Sequence, residues 1–182
     1  MKRYFTLIEI LGVTILISVL AAIGIASYTY AMESSRESST RATIARISSA
    51  MDALKEKGFL PKIAEYSSIK IDFDENSDKN KVKFINGSSE ISLPRNEAYK
   101  IFMRAIDGES VGTGEINDAW GKAILVKYPG IFNRGGVDII SAGSDGGFGE
   151  AVSEEPIDSA NSSSNKYRDD DGEWVCDDIA NF

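Results

Sequence analysis

A chain of 182 residues has room for one ordinary domain and a membrane segment. Its net charge of −8 disfavours a phosphate-backbone partner, so no nucleic acid is expected. With no histidine and one cysteine, Cys176, it lacks the commonest general base, the usual zinc ligand and any intrachain disulfide.

Lys2 and Arg3 precede a run from Phe5 to Met32 that contains one charge, Glu9. A helix needs about 20 apolar residues to cross a bilayer core, so this run is long enough to span. The basic pair on the leading side predicts a cytoplasmic N-terminus, with everything after Met32 exported. A secretory signal peptide or a simple signal anchor accounts for the basic and apolar parts but not for Glu9. A carboxylate within a membrane helix is costly and usually has a partner.

From Ser27 to Lys57 the pattern becomes amphipathic. Ile44, Ile47, Met51 and Leu54, with Ala50 beside them, make one apolar stripe at steps of three and four. Arg36, Glu37, Arg41, Arg46, Asp52 and Lys55 lie off it, and Glu37 to Arg41 has the order that supports a helix. Lys55, Lys57, Gly58 and Pro61 form a stop signal. The prediction is one nearly continuous helix from Phe5 to Lys57, packing its outer stripe on a sheet.

Residues 62–93 read as an irregular insert with some strands. Ile69 to Phe73 alternates with period two, and Val82 to Ile85 and Glu90 to Leu93 flank the hairpin-type turn Asn86-Gly87. Asp74 to Lys81 reads as an exposed charged loop. Pro94 opens a short helix with Ala98, Ile101, Phe102, Ala105 and Ile106 on one face, ending at Gly108, and Gly112 and Gly114 mark a loop. Strands follow at Ala123 to Tyr128 and Val137 to Ser141. The stretch from Glu150 to Arg168, rich in Ser, Asn and Glu, reads as a flexible loop. The fold class is therefore α+β, a long N-terminal helix on a small antiparallel sheet.

Phe5-Thr6-Leu7-Ile8-Glu9, behind a short basic leader and before an apolar run, closely resembles the prepilin signal of type IV pilins and type II secretion pseudopilins. The resemblance implies a pilin-like fold and cleavage by a prepilin peptidase between Tyr4 and Phe5, with methylation of the new amino group. It also implies that Glu9 meets the N-terminal amine of a neighbouring subunit. Two positions depart from the family: Tyr4 stands where glycine is usual, and Ala26 where many relatives have a helix-bending proline. The segments this implies are a leader 1–4, an apolar assembly helix 5–31, its amphipathic outer half 32–58, a variable region 59–115 with a helix 94–107, and a pseudopilin-type sheet and C-terminal loop 116–182.

Further pieces stand in the order found in the major, protein G-like pseudopilin of type II secretion. They are Asn117-Asp118-Ala119-Trp120-Gly121, Tyr128-Pro129-Gly130, the run Val137 to Gly146, and Asp177-Asp178-Ile179-Ala180-Asn181-Phe182. Ala119 replaces the family's proline and Phe182 its final tryptophan. This resemblance implies a Ca²⁺ held by Asp145, a backbone carbonyl near Ala142, and Asp178 with Asp177 beside it. Calcium takes about six to eight oxygens, commonly carboxylates and carbonyls of a tight loop. A solvated acidic tail is the plainer reading, because Asp169, Asp170, Asp171 and Glu173 cluster there too, and a pairing through Asp169 to Asp171 stays open. Cys176 reads as a small buried residue without a role.

The resemblance implies a structural subunit, not an enzyme: a pseudopilin that stacks by its helix into a periplasmic filament supporting protein export. Its expected partners are further copies of itself, the prepilin peptidase, an inner-membrane secretion or pilus assembly platform, minor pseudopilins and membrane lipid. Its expected location is the bacterial inner membrane, single-pass, with the globular part in the periplasm. The alternative is a type IV pilin or minor pilin of a surface fibre for adhesion, motility or DNA uptake. A membrane-anchored enzyme or binding module exported by the same route is a third reading, disfavoured by the missing histidines.

Overall fold

The computed structural model describes residues 6–72, 80–106, 114–150, 152–157, 167–168 and 175–182. Helix α1 runs from Leu7 to Glu56, 50 residues with no proline to interrupt the backbone ladder. It stops where the sequence predicts. Gly58 takes a φ of +69°, its N–H donates to the Lys55 carbonyl at 2.9 Å, and Phe59 N–H reaches back to the Leu54 carbonyl at 2.9 Å. That pair of bonds is a Schellman cap, which needs a residue without a Cβ at the left-handed position.

The chain divides into two compact units, one ending at Arg36 and the other from Glu37 to Phe182. In the first, every described residue is exposed, including Leu7, Ile15, Leu20 and Ile25. In the second, the remaining turns of α1 bury Thr40, Ile44, Ile47, Ala50, Met51 and Leu54. The five apolar members are the predicted stripe. Burying side chains of the Leu, Ile and Met class contributes about 1.5–3 kcal/mol each, which fixes this part of the helix on the sheet.

The sheet is antiparallel. Its strands are β1 Ile63–Asp72, β2 Lys81–Asn86, β3 Ser89–Ser92, β4 Gly114–Glu115, β5 Leu125–Tyr128, β6 Asp138–Ser141 and β7 Ile179–Ala180. They lie in the order β3-β2-β1-β5-β6-β7, with β4 also paired to β1. Asn86 pairs with Ser89, so Gly87 and Ser88 form a two-residue hairpin loop, with Gly87 at φ +55°. Where the sequence reads an irregular insert, the structure has the middle of the sheet: β1 pairs with β2 and β4 toward one end and with β5 toward the other. Its register with β5 shifts between Ile63 and Ser67, and Ser67 and Ser68 are buried, so the strand does not alternate apolar with polar.

Helix α2, Asn96–Ala105, begins two residues after Pro94, with Arg95 extended at its N-cap. It buries Ala98, Phe102 and Met103. Its expected end at Gly108 lies outside the described residues, as do residues 74–79 of the expected charged loop.

Adjacent residues of a strand point to opposite faces, and β6 separates two cores on that basis. Ile139 joins Val126, Ile69, Ile71 and the buried residues of α1 and α2. Ile140 joins Tyr66, Ala142, Phe148, Ile157 and Tyr167, with Cys176, Ala180 and Phe182 against them. One face of the sheet therefore carries the two helices. The other carries the loops that follow β6 and the C-terminal segment.

Candidate functional site

Two places carry the residues singled out in the sequence. The first is the start of α1. Glu9 sits three residues after Thr6, and the two bond reciprocally: Thr6 N–H and Thr6 Oγ1 each donate to Glu9 Oε2 at 2.8 Å, and Glu9 N–H donates to Thr6 Oγ1 at 3.4 Å. This is a capping box, in which a Thr at the N-cap and a Glu three residues on satisfy each other's backbone donors. The sequence signal, Thr-x-x-Glu before an apolar run, is present, and Thr6 was not singled out by it. Tyr4 and Phe5, the expected cleavage and methylation site, lie outside the described residues, as does the leader.

Helix α1 is long and apolar enough to cross a membrane. None of its apolar stretch is buried by the rest of the chain.

The second place lies on the sheet face opposite the helices. After β6 the chain turns at Gly143, with φ +62°, and Asp177 fills the concavity so formed. Its Oδ2 accepts bonds from Ser144 N–H at 2.6 Å, Ser144 Oγ at 2.7 Å and Asp145 N–H at 2.9 Å. Asp178 is buried, and its Oδ2 accepts from Gly149 N–H at 2.6 Å. Asp145 is exposed, and its Oδ1 caps Gly147 N–H at 2.8 Å. Ala142 is buried at the head of the loop. The four residues expected around calcium thus come from two segments that are hydrogen-bonded to each other, with β7 pairing to β6 alongside.

The two neighbouring acids respond to these surroundings in opposite senses. Burial raises the Asp177 carboxyl, but the bonds from Ser144 and Asp145 outweigh it and hold the group below its ordinary value. Burial pushes Asp178 up to about 6, and the nearby Asp177 and Asp145 charges add to that. Burial and the Asp178 carboxylate push the Cys176 thiol up to about 12, which makes it a poor nucleophile. Each carboxylate faces its own backbone donors. Among the described residues, no three His, Cys, Asp or Glu side chains gather on a common point. Asp169 to Asp171 and Glu173 lie outside the described residues.

Two further aspartates do architectural work that the sequence did not reveal. Asp138 is fully buried at the start of β6. Its Oδ2 accepts from Ile131 N–H at 2.6 Å, Phe132 N–H at 3.0 Å and Tyr66 OH at 3.3 Å, and its Oδ1 from Asn133 N–H at 2.8 Å. Asp118, in the Asn-Asp-Ala-Trp-Gly element, accepts from Trp120 N–H at 3.0 Å, Lys122 N–H at 2.8 Å and Ser141 Oγ at 2.6 Å. The next residue, Ala119, donates its N–H at 3.1 Å to Oγ1 of Thr40, the one polar side chain buried on the α1 stripe. That element therefore joins α1 to β6, a positioning role and not a chemical one.

In comparisons with family models, curated proteins and solved structures, nothing matches this chain.

Proposed function

We propose that the chain is a pilin-like structural subunit that assembles through its N-terminal helix into a filament, in the manner of a type II secretion pseudopilin. One observation carries this reading: a single helix changes character along its length. From Leu7 to Met32 its apolar side chains are exposed, whereas from Thr40 to Leu54 its apolar stripe is buried. Such an apolar surface needs a cover, and two covers are chemically alike: lipid before assembly and the helices of other copies after it. Because lipid is as apolar as leucine, that exchange brings little hydrophobic gain. Direction and register must come from close packing and from the one charge, Glu9. The free amine created by cleavage before Phe5 would supply its counter-charge from an adjoining copy.

The calcium expectation belongs to the same reading. Asp145, Asp177 and Asp178 with the Ala142 carbonyl would hold the ion once the carboxylates turned from their own backbone donors toward a common point, an all-oxygen set of the kind calcium takes. The acidic pair that secures the C-terminal segment to the loop after β6 supports it, since a divalent cation there would offset the burial, and the Asp177 and Asp145 charges, that raise Asp178.

The test is the mature N-terminal residue of the native protein, read by mass spectrometry. The expected product begins at methylated Phe5. A chain that still begins at Met1 and whose helices never lie beside those of other copies would overturn the reading.

A further inference from the structure

On the helix-bearing face, the end of α1 and the exposed side of α2 enclose a groove of about 540 Å³. Phe59 and Ile101, with two alanines, make its apolar lining, Lys57, Lys100 and Arg104 surround them, and Glu97 is its one acid. The Arg95 guanidinium adds a further cation at the edge, 5.4 Å from the centre of the Phe59 ring. Among the described residues, no ion pair within the chain engages Lys57, Lys100 or Arg104. This cationic groove belongs to a chain whose net charge is −8.

On the opposite face, the stretch after Phe148 has the reverse sign. Beyond Phe148, which packs into the second core, the chain exposes Glu150, Glu154 and Glu155. Groove and glutamates are held on opposite faces of one sheet, because Ile139 and Ile140 divide the two cores. One copy therefore cannot bring its own glutamates to its own groove.

We propose that the groove lined by Lys57, Lys100 and Arg104 receives the Glu150–Glu154–Glu155 face of a second copy of this chain. Complementary patches on opposite faces make a heterologous contact, which does not close on itself after two copies but leaves a free patch at each end. The contact rests on the assembly reading above. It adds a second, head-to-tail set of charge pairs outside the membrane, whose main effects are register and rate of association.

Cross-linking of the processed chain, beginning at methylated Phe5, in vesicles of neutral phosphatidylcholine tests this, in a Cys176→Ala background. Lys100→Cys with Glu154→Cys reports the groove contact, and Leu16→Cys alone reports helix association. The expected result is a ladder of dimers, trimers and higher species from the groove pair. Lys100→Glu with Arg104→Glu, followed through a cysteine pair at Lys57 and Glu154, should cut the yield about tenfold, and Glu150→Lys with Glu155→Lys should restore it. A groove-pair product that stops at the dimer, or helix association with no groove-pair product, overturns the proposal while leaving the assembly reading in place. Loss of both products overturns the two together. Protection of the cysteine at position 100 from a water-soluble maleimide only in vesicles with phosphatidylglycerol, and no ladder, would assign the groove to lipid headgroups instead.

Discussion

Glu9 and Thr6 are bonded in both directions at the start of α1, so the carboxylate that was expected to need a neighbouring copy already has a partner in its own chain. This separates two roles of one side chain. As a cap it needs only an acceptor oxygen at the right reach, which glutamine also provides. As the partner of an amine it needs its charge. Glu9→Gln should therefore insert with an intact helix start yet assemble poorly, and Glu9→Leu should lose both properties. Helix cross-linking through Leu16→Cys in membranes measures assembly. Assembly of Glu9→Gln at the native level would confine the residue to capping.

Asp138 predicts a stability effect in a place with no bearing on assembly. Its carboxylate satisfies three backbone N–H groups of the 131–133 turn and the Tyr66 hydroxyl while fully buried. A hydrogen bond to a charged acceptor contributes about 1.5–3 kcal/mol, and the bonds share this one carboxylate, so Asp138→Ala should lose about 3 kcal/mol. Tyr66→Phe removes one long bond and should cost about 1 kcal/mol or less. Thermal melting of the full-length chain in detergent micelles, followed by circular dichroism, ranks the two. Equal melting temperatures for Asp138→Ala and the native chain would refute the cage.

Much of the fold was legible because it follows from periodicity. The α1 stripe, the Gly58 stop and the Asn86-Gly87 hairpin each depend on a few residues near one another in sequence. Thr40 was not legible: it continues the spacing of Ile44, Ile47, Met51 and Leu54, but a hydroxyl on an apolar stripe signals nothing until Ala119 N–H is seen 3.1 Å away. The central position of β1 was hidden by its register shift and by buried Ser67 and Ser68, which break alternation. At the acidic loop, resemblance brought Asp145, Asp177 and Asp178 together, but not the direction of each carboxylate. Backbone N–H groups, which leave no trace in residue identity, set that direction. The same blindness hid Asp118 and Asp138, which look like any other surface acid in a chain with 28 acidic residues.

Gly143 tests the link between the loop after β6 and the C-terminal segment. Its φ of +62° is costly for any residue with a Cβ, and a Cβ there would run into the backbone carbonyl of Asp177. Gly143→Ala should therefore push Asp177 away from Ser144 and Asp145, at a cost of about 1–3 kcal/mol. Hydrogen exchange should show the amides of Ser144, Asp145 and Ile179 losing protection while those of β1 and β5 keep theirs. Unchanged exchange at Ser144 would mean that Asp177 is not what holds the loop.

Asp178 ties pH and stability to one carboxyl, and the calcium proposal adds the ion to that link. Its value rises from 3.8 unfolded to about 6 folded, because burial and the Asp177 and Asp145 charges oppose ionisation. The folded chain thus holds a proton that the unfolded chain has released between those values. The contribution of this group to stability accordingly falls as pH climbs from about 4 to about 6, and the cost persists above that window. Asp177 acts in the reverse sense: its lowered value stabilises the fold above the ordinary carboxylate range, and that contribution is lost in acid. In chelator at about pH 7, Asp178→Asn should keep the acceptor for Gly149 N–H without the charge, and melt above the native chain by an amount worth about 1–2 kcal/mol. Added CaCl₂ should raise the melting temperature of the native chain, since an ion bound only by the folded state stabilises it, and leave Asp178→Asn nearly unmoved. Equal melting of the two chains in chelator would show that the buried charge carries no cost. A native chain indifferent to calcium would remove the ion from the reading.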